Sequence, residues 1–242
     1  MPILSSLTGT LVNVGTVIVG SIIGLLLGKG LPERLSKGLM IAIGFCTAYI
    51  GISGCLQGQN TLVVILSLLL GTLLGEGLDL DKQVNLLGGF AEKKLSRGGR
   101  LPIAEGFVNA SLLFCVGAMT IVGSLNSGLT GDHTTLYAKA CLDLISAAVF
   151  ASTLGVGVTL SAVGVLVVQG GIALLAHIIA PLLNDTVIAD MTCVGSLLII
   201  GLSLNLLGVA KLKIMNYTPA IFLPMLLCPL YDIVAAWLAT LL

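Results

Sequence analysis

The sequence predicts an all-α polytopic membrane protein, a bundle of about eight transmembrane helices with no soluble domain. Three observations carry this. The 242 residues are 57% hydrophobic and only 9% charged, with a mean hydropathy of +1.13, where a soluble domain carries roughly 25% charged residues. So few charges cannot cover a solvated surface. The apolar residues also fall into runs long enough to cross a bilayer, about 20 residues each. Finally, runs such as 62–74 and 194–207 are nearly continuous, whereas a transmembrane strand alternates apolar and polar positions over about ten residues.

The spans fall at about 5–28, 38–57, 60–77, 105–125, 135–154, 156–180, 188–209 and 216–241. Span 1 has no basic residue before it and Lys29 after it, the reverse of a secretory leader, so it reads as a retained helix. Its Gly20, Gly24 and Gly28 form a double GxxxG ridge of the kind that brings helices into close contact, and a homo-oligomer through that ridge is an expectation. Between spans 3 and 4 lies the largest polar stretch, 78–104. Its residues 79–95 have helical apolar spacing and read as an interfacial amphipathic helix or a solvated connector. Spans 4 and 5 form a central pair, about 105–154. In span 6, Gln169 precedes Gly170-Gly171, and in span 7, Asn205 sits between Gly201 and Gly208. Glycine beside an amide suits either a discontinuous helix or an interhelical hydrogen bond. In span 8, Pro219, Pro224 and Pro229 must kink or break the helix.

Charge sets the orientation. Of the 11 basic residues, Lys29, Arg34, Lys37, Lys82, Lys93, Lys94, Arg97, Arg100, Lys211 and Lys213 all fall in odd-numbered loops, and only Lys139 does not. Short basic loops stay cytoplasmic, so both termini face outward. The even loops carry Asp132, Asp185 and Asp190 instead. Seven spans would split the basic residues between the two sides.

The chain also echoes itself. At an offset of 149–150 residues, Gly15 falls on Gly164, Val19 on Val168, Pro32 on Pro181 and 51–53 on 201–203. This lays spans 1–3 (about 5–77) on spans 6–8 (about 156–241). An odd number of spans separates the partners, so the single transmembrane domain, 1–242, reads as an inverted repeat, a common plan of secondary transporters.

Polar groups inside a membrane are costly and mark pathways or sites. Glu105, Asn109, Ser111, Thr120 and Ser124 lie on span 4, and Asn126, Ser127, Asp132 and His133 follow in the loop. Lys139, Asp143 and Ser146 lie at i, i+4 and i+7 on span 5, one helix face. The Lys139/Asp143 pair either neutralises itself to lock the bundle or releases one partner to a solute. His133 has the chemistry of a pH sensor, although a loop histidine is more often simply solvated; His177 reads as interfacial. Asn13, Gln169, Ser203 and Asn205 are deep amides and a hydroxyl in apolar spans, and Asp232 is a further candidate interior carboxylate. The six cysteines are scattered without a CxxC or Cys/His spacing, so no metal or cofactor site is expected. No phosphate-binding GxxxxGK loop is present, and the mixed charge of the polar loop gives no nucleic-acid surface. Tyr231-Asp232 and Gly131-Asp132 are in the wrong order for an intramembrane aspartyl protease, so no enzyme is expected.

Residues 105–119, EGFVNASLLFCVGAM, together with Gly9-Thr10 and Asn13, Leu31 to Leu35, Gly131-Asp132-His133, Lys139, Leu142-Asp143, 151–155 and Gln169-Gly170, resemble the bacterial membrane family called domain of unknown function 554. The resemblance covers essentially the whole chain. It implies a multi-pass protein of the bacterial cytoplasmic (inner) membrane with a transport role. The expectation is therefore a secondary transporter or channel for a small polar or charged solute. Its substrate or ion site would draw on Glu105, Asn109, Ser111, Asp132, Lys139, Asp143, Ser146, Gln169 and Asn205. The alternative is a non-transporting assembly or sensor protein; an intramembrane enzyme ranks below both.

Overall fold

The computed structural model describes residues 3–28, 32–83, 86, 103–116 and 118–239. Every regular element among them is helical. The helices are α1 (Thr8–Gly28), α2 (Glu33–Cys55), α3 (Thr61–Leu78), α4 (Ile103–Cys115), α5 (Ala118–Leu129), α6 (Thr134–Leu154), α7 (Gly157–Leu174), α8 (Asp185–Leu206) and α9 (Pro224–Ala239), with a 3₁₀ segment, Ile214–Phe222, before α9. Six helices are long and apolar enough to cross a membrane by themselves, and two bent pairs bring the number to eight if each pair is one span.

Packing direction shows what the bent pairs do. A methyl group at Gly106 would meet the backbone at Leu154 and Gly157, and one at Gly128 would overlap the Ala173 carbonyl. Both α4 and α5 therefore run along α7 in the same direction, although they are bent by 64°. A re-entrant loop would turn back; this pair traverses the bundle once. The 3₁₀ segment likewise packs antiparallel on α3, with Gly75 against Asn216 and Gly71 against Ala220. Cys228 of α9 continues that register into one buried cluster with Val63, past a 48° bend.

The glycine ridge of α1 is occupied within the chain. Gly20, Gly24 and Gly28 face the Leu144, Ala148 and Ser152 carbonyls of α6, so the two backbones run parallel in direct contact. A homo-oligomer would need another face. α2 and α8 pack antiparallel through Gly44 against Leu207, Gly51 against Ile200 and Gly54 against Ser196. α8 is the central helix: 67% of its apolar window is buried, against 28% for those of α1, α2 and α3. The outer faces of the bundle carry Leu26, Phe45, Tyr49, Leu73 and Val167, all more than half exposed. An apolar exterior of this extent suits a hydrocarbon solvent.

Of the two readings of the glycine–amide stretches in spans 6 and 7, a discontinuous or a continuous helix, the continuous one holds. α7 runs unbroken through Gln169-Gly170-Gly171 and α8 through Gly201. Gly170 lies within ordinary contact range of Leu7 and Thr10, whereas Gly201 makes room for the Ile214 side chain. Gly208, with φ 72°, ends span 7. The additional break lies in span 4, where Val116 wedges into the space beside Gly195 of α8. The Thr120 hydroxyl, rather than a backbone amide, donates to the Phe114 carbonyl at 3.1 Å. Span 8 is broken as its prolines require. The amphipathic stretch 79–95 lies largely outside the described residues; Asp79 ends α3 in the left-handed region (φ 45°) and the helix restarts at Leu80.

The ridge gives a direct test. Gly24→Val should lower stability by about 1–3 kcal/mol or more, the cost of overpacking, because its side chain meets backbone. Gly15, with nothing within 4 Å, should accept alanine without loss. Thermal unfolding of both variants in detergent is the measurement, and equal midpoints would remove the α1–α6 contact.

Candidate functional site

α6 begins in a turn formed by Gly131 (φ 73°). Asp132 Oδ1 accepts from the Thr134 amide at 2.9 Å and the Thr134 hydroxyl at 2.6 Å, which supplies an acceptor at the helix start. Those bonds, the hydroxyl first, hold its carboxyl below the usual carboxylate range. Asp132 is thus a solvent-side cap. Beside it, Ser127 donates to the Ser6 carbonyl at 2.7 Å and lies 2.9 Å from His133 Nδ1. A hydroxyl has one proton, so His133 Nδ1 must be the donor of that second bond.

One turn inward the charges are buried. Lys139 Nζ lies 3.0 and 2.9 Å from Oδ1 and Oδ2 of Asp143, and the two residues are 7% and 5% exposed. Across the α1–α6 contact, Asn13 Nδ2 donates to Asp143 Oδ2 at 2.9 Å. The Thr16 hydroxyl donates to the Asn13 backbone carbonyl at 2.8 Å, with the Asn13 Oδ1 3.3 Å away. Just before the break, Leu113 of α4 lines a cleft with Ile145 and Ser146 of α6, and just after it Gly123 of α5 faces Leu136 of α6, so the break falls abreast of the α6 turn between them, which carries Lys139 and Asp143. The ion pair therefore sits beside the discontinuity of span 4.

Towards the outer end, unpartnered polar groups converge from three more directions. Gly128 meets Ala173 across the parallel α5–α7 contact; stepping back four residues on each helix places Ser124 abreast of Gln169. Thr10 approaches the neighbouring Gly170. The Thr10 and Ser124 hydroxyls and both amide atoms of Gln169 are buried without a hydrogen-bond partner among the described residues, although such groups normally find one.

Towards the other end, Glu105, Asn109 and Asn205 meet with Asp81 around a cavity of about 160 Å³. Asn109 is 4% exposed and its Nδ2 has no partner. Asn205 lines the cavity, but its amide is occupied: it donates to the Leu212 carbonyl and accepts from the Leu212 amide, both at 2.8 Å, closing the turn after α8. Ser111 and Cys115 line a separate, mainly apolar cavity of about 180 Å³ with Gly164 and Met191. Ser146 lies apart, in a cleft between α2 and α6 with Thr47 and Phe150.

The nine expected site residues thus divide into an ion-pair centre, an outer layer, an inner vestibule and three outliers, Ser111, Asp132 and Ser146. Asn13, Thr10 and Ser124 complete the centre and were not among them; their deep polar positions in otherwise apolar runs were the available signal. Asp190, expected among the outer-loop acids, is fully buried in α8. Its Oδ1 accepts from the Gln59 and Asn60 amides at 2.7 and 3.0 Å, and Cys228 Sγ lies 3.5 Å from Oδ2. It caps the start of α3. Asp232 is exposed on α9, so it is not an interior carboxylate.

These features define an all-helical bundle, with six to eight candidate membrane spans, closed around a buried lysine–aspartate–asparagine centre. The chain belongs to the family described as "Protein of unknown function (DUF554)", matched over residues 8–229. It is 33% identical over 235 residues to "Uncharacterized protein YqgA" of Escherichia coli (strain K12), covering 96% of this chain and 99% of that one. It is 34% identical over 220 residues to "Uncharacterized membrane protein YdfK" of Bacillus subtilis (strain 168), covering 89% and 93%. No solved structure matches.

The centre makes a quantitative demand. Asp143→Ala should destabilise the protein by about 3–5 kcal/mol, because it strands a buried ammonium. The double variant K139M/D143L, which removes both charges, should cost less than that single change. Unfolding midpoints of the two variants, set against the parent, decide it.

Proposed function

We propose that the protein is a secondary transporter or channel for a small polar or charged solute in the bacterial cytoplasmic membrane. The observation that carries this is the buried Lys139–Asp143–Asn13 centre beside the break in span 4. Charged groups inside a membrane bundle usually line a pathway. Discontinuous helices are how transporters bring backbone dipoles and carbonyls to mid-membrane. A wholly structural ion pair would leave no reason for unpartnered Gln169, Thr10 and Ser124 beside it, since apolar side chains would pack there at lower cost. The vestibule around Glu105 and Asn109 offers an approach from the other end.

The membrane setting is supported by the apolar exterior and by the relative described as a membrane protein. Eight crossings follow from reading each bent pair as one traverse, and the basic loops then put both termini outside. The inverted repeat belongs to the same proposal. Its supports are the antiparallel packing of α2 on α8 and of α3 on the 3₁₀ segment, the partners the repeat assigns.

Two measurements test the reading. In proteoliposomes, the parent should move at least one of a panel of inorganic ions, carboxylates, amino acids and sugars. Asp143→Asn should change that flux by at least tenfold while remaining folded; absence of flux from the whole panel in a folded parent would leave the assembly or sensor reading. On a cysteine-free background, a cysteine at position 131 should react with an impermeant thiol reagent from outside intact cells. One at position 97 should react only after permeabilisation, and the reverse pattern would invert the topology.

A further inference from the structure

The hydrogen-bond inventory of the centre is unequal. Both oxygens of Asp143 are engaged, Oδ1 by Lys139 and Oδ2 by Lys139 and Asn13. Lys139 carries three N–H donors and has no acceptor other than Asp143 among the described residues. At least one of its donors is therefore in surplus. One turn outward on α6 is Leu136, which faces Gly9 of α1 and Gly123 of α5; at this level the adjoining Thr10 and Ser124 hydroxyls and the Gln169 amide are buried without a partner among the described residues. The functional groups left open at this place include donors and acceptors alike, and the single positive charge among them is Lys139.

The charges facing the centre are few. α1, α5 and α7 contain no titratable residue; α4 carries Glu105 at its far end and Cys115; α2 brings Cys46 to the cleft beside Ser146; α6 itself carries Tyr137, Lys139, Cys141 and Asp143. In a water-excluded interior the Lys139 ammonium must have a negative partner, and Asp143 is the one present among the described residues. If Asp143 takes a proton, that partner is lost and an anion from outside must replace it. Proton and anion thus arrive and leave together with the net charge of the centre unchanged.

We infer that Lys139, Gln169, Thr10 and Ser124 form a binding site for a small anion, inorganic or a short carboxylate, whose occupancy is linked to protonation of Asp143. The inference deepens the transport reading and rests on it only for its physiological use. Linkage is reciprocal: each anion bound takes up one proton, so affinity rises on acidification.

The test is binding to the purified full-length chain in detergent. Sodium chloride, nitrate and acetate are compared with sodium gluconate at equal ionic strength, with the unfolding midpoint as readout. At least one of the three should stabilise the protein, with apparent affinity rising about tenfold for each pH unit lowered while Asp143 is ionised. Asp143→Asn, which mimics the protonated carboxyl, should hold the anion at every pH and lose the pH slope. The double variant K139M/D143L, with a neutral centre, should lose the anion effect. The inference is overturned if no anion acts on the folded protein at any pH, if stabilisation follows sodium against potassium, or if Asp143→Asn keeps the pH slope. Transport fails separately. Linked binding without flux of that anion supports the site and removes the transporter, whereas flux with pH-independent binding does the reverse.

Discussion

A charge pair placed where water is excluded has to be enclosed by groups that satisfy it, and the helices around Lys139 and Asp143 are arranged as that enclosure. Asn13 can reach Asp143 only because α1 and α6 run parallel at backbone contact, with Gly20, Gly24 and Gly28 presenting no side chain to the α6 carbonyls. The same approach buries Lys139 and Asp143 to under a tenth of their surface. Separating the helices by one methyl group would loosen the amide–carboxylate bond and admit solvent. Packing and electrostatics are therefore one constraint here, and small residues on α1 are its condition.

The second organising feature is the way helix ends are handled. In hydrocarbon, a helix terminus without partners costs several kcal/mol by most estimates. α3 is held at one end by buried Asp190, which accepts two backbone amides, and beyond its other end by Asn216, which accepts the Asp81 amide at 2.7 Å. The turn after α8 is closed by Asn205 against Leu212. At the break in span 4 the Thr120 hydroxyl takes the Phe114 carbonyl. Many intramembrane polar side chains thus have a local structural role, which sets apart those that do not. Gln169, Thr10 and Ser124 hold up no helix end among the described residues, and they lie one turn outward of the buried charge pair.

This division bears on how membrane sequences are read. Asp132, Asp190 and Asn205 look as functional in one dimension as Lys139 and Asp143, yet each proves to serve an end or a turn. The i, i+4, i+7 spacing joined Ser146 to Lys139 and Asp143, but at Ser146 α6 also has α2 as a neighbour, while its α1 contact continues through Leu144, Ala148 and Ser152. Ser146 therefore faces a different cleft. Helical periodicity fixes the face of a residue and says nothing about which helix that face meets.

From the sequence alone came the helical class, the positions of the spans, the broken span 8 and the polar character of the centre. Each of these is local: continuous apolar runs, proline in the hydrogen-bond ladder, and an i, i+4 lysine–aspartate pair. Which helices touch was not legible, because Gly and Leu patterns are compatible with many partners. The ridge on α1 was readable as a contact surface, but only the tertiary structure gave its partner, α6, and hence the Asn13–Asp143 bond across 130 residues. The break in span 4 was equally hidden. Val116 there occupies the space beside Gly195 on α8, a contact between residues distant in sequence, and the continuity of the Gly-rich stretches of spans 6 and 7 is likewise seen only in the structure.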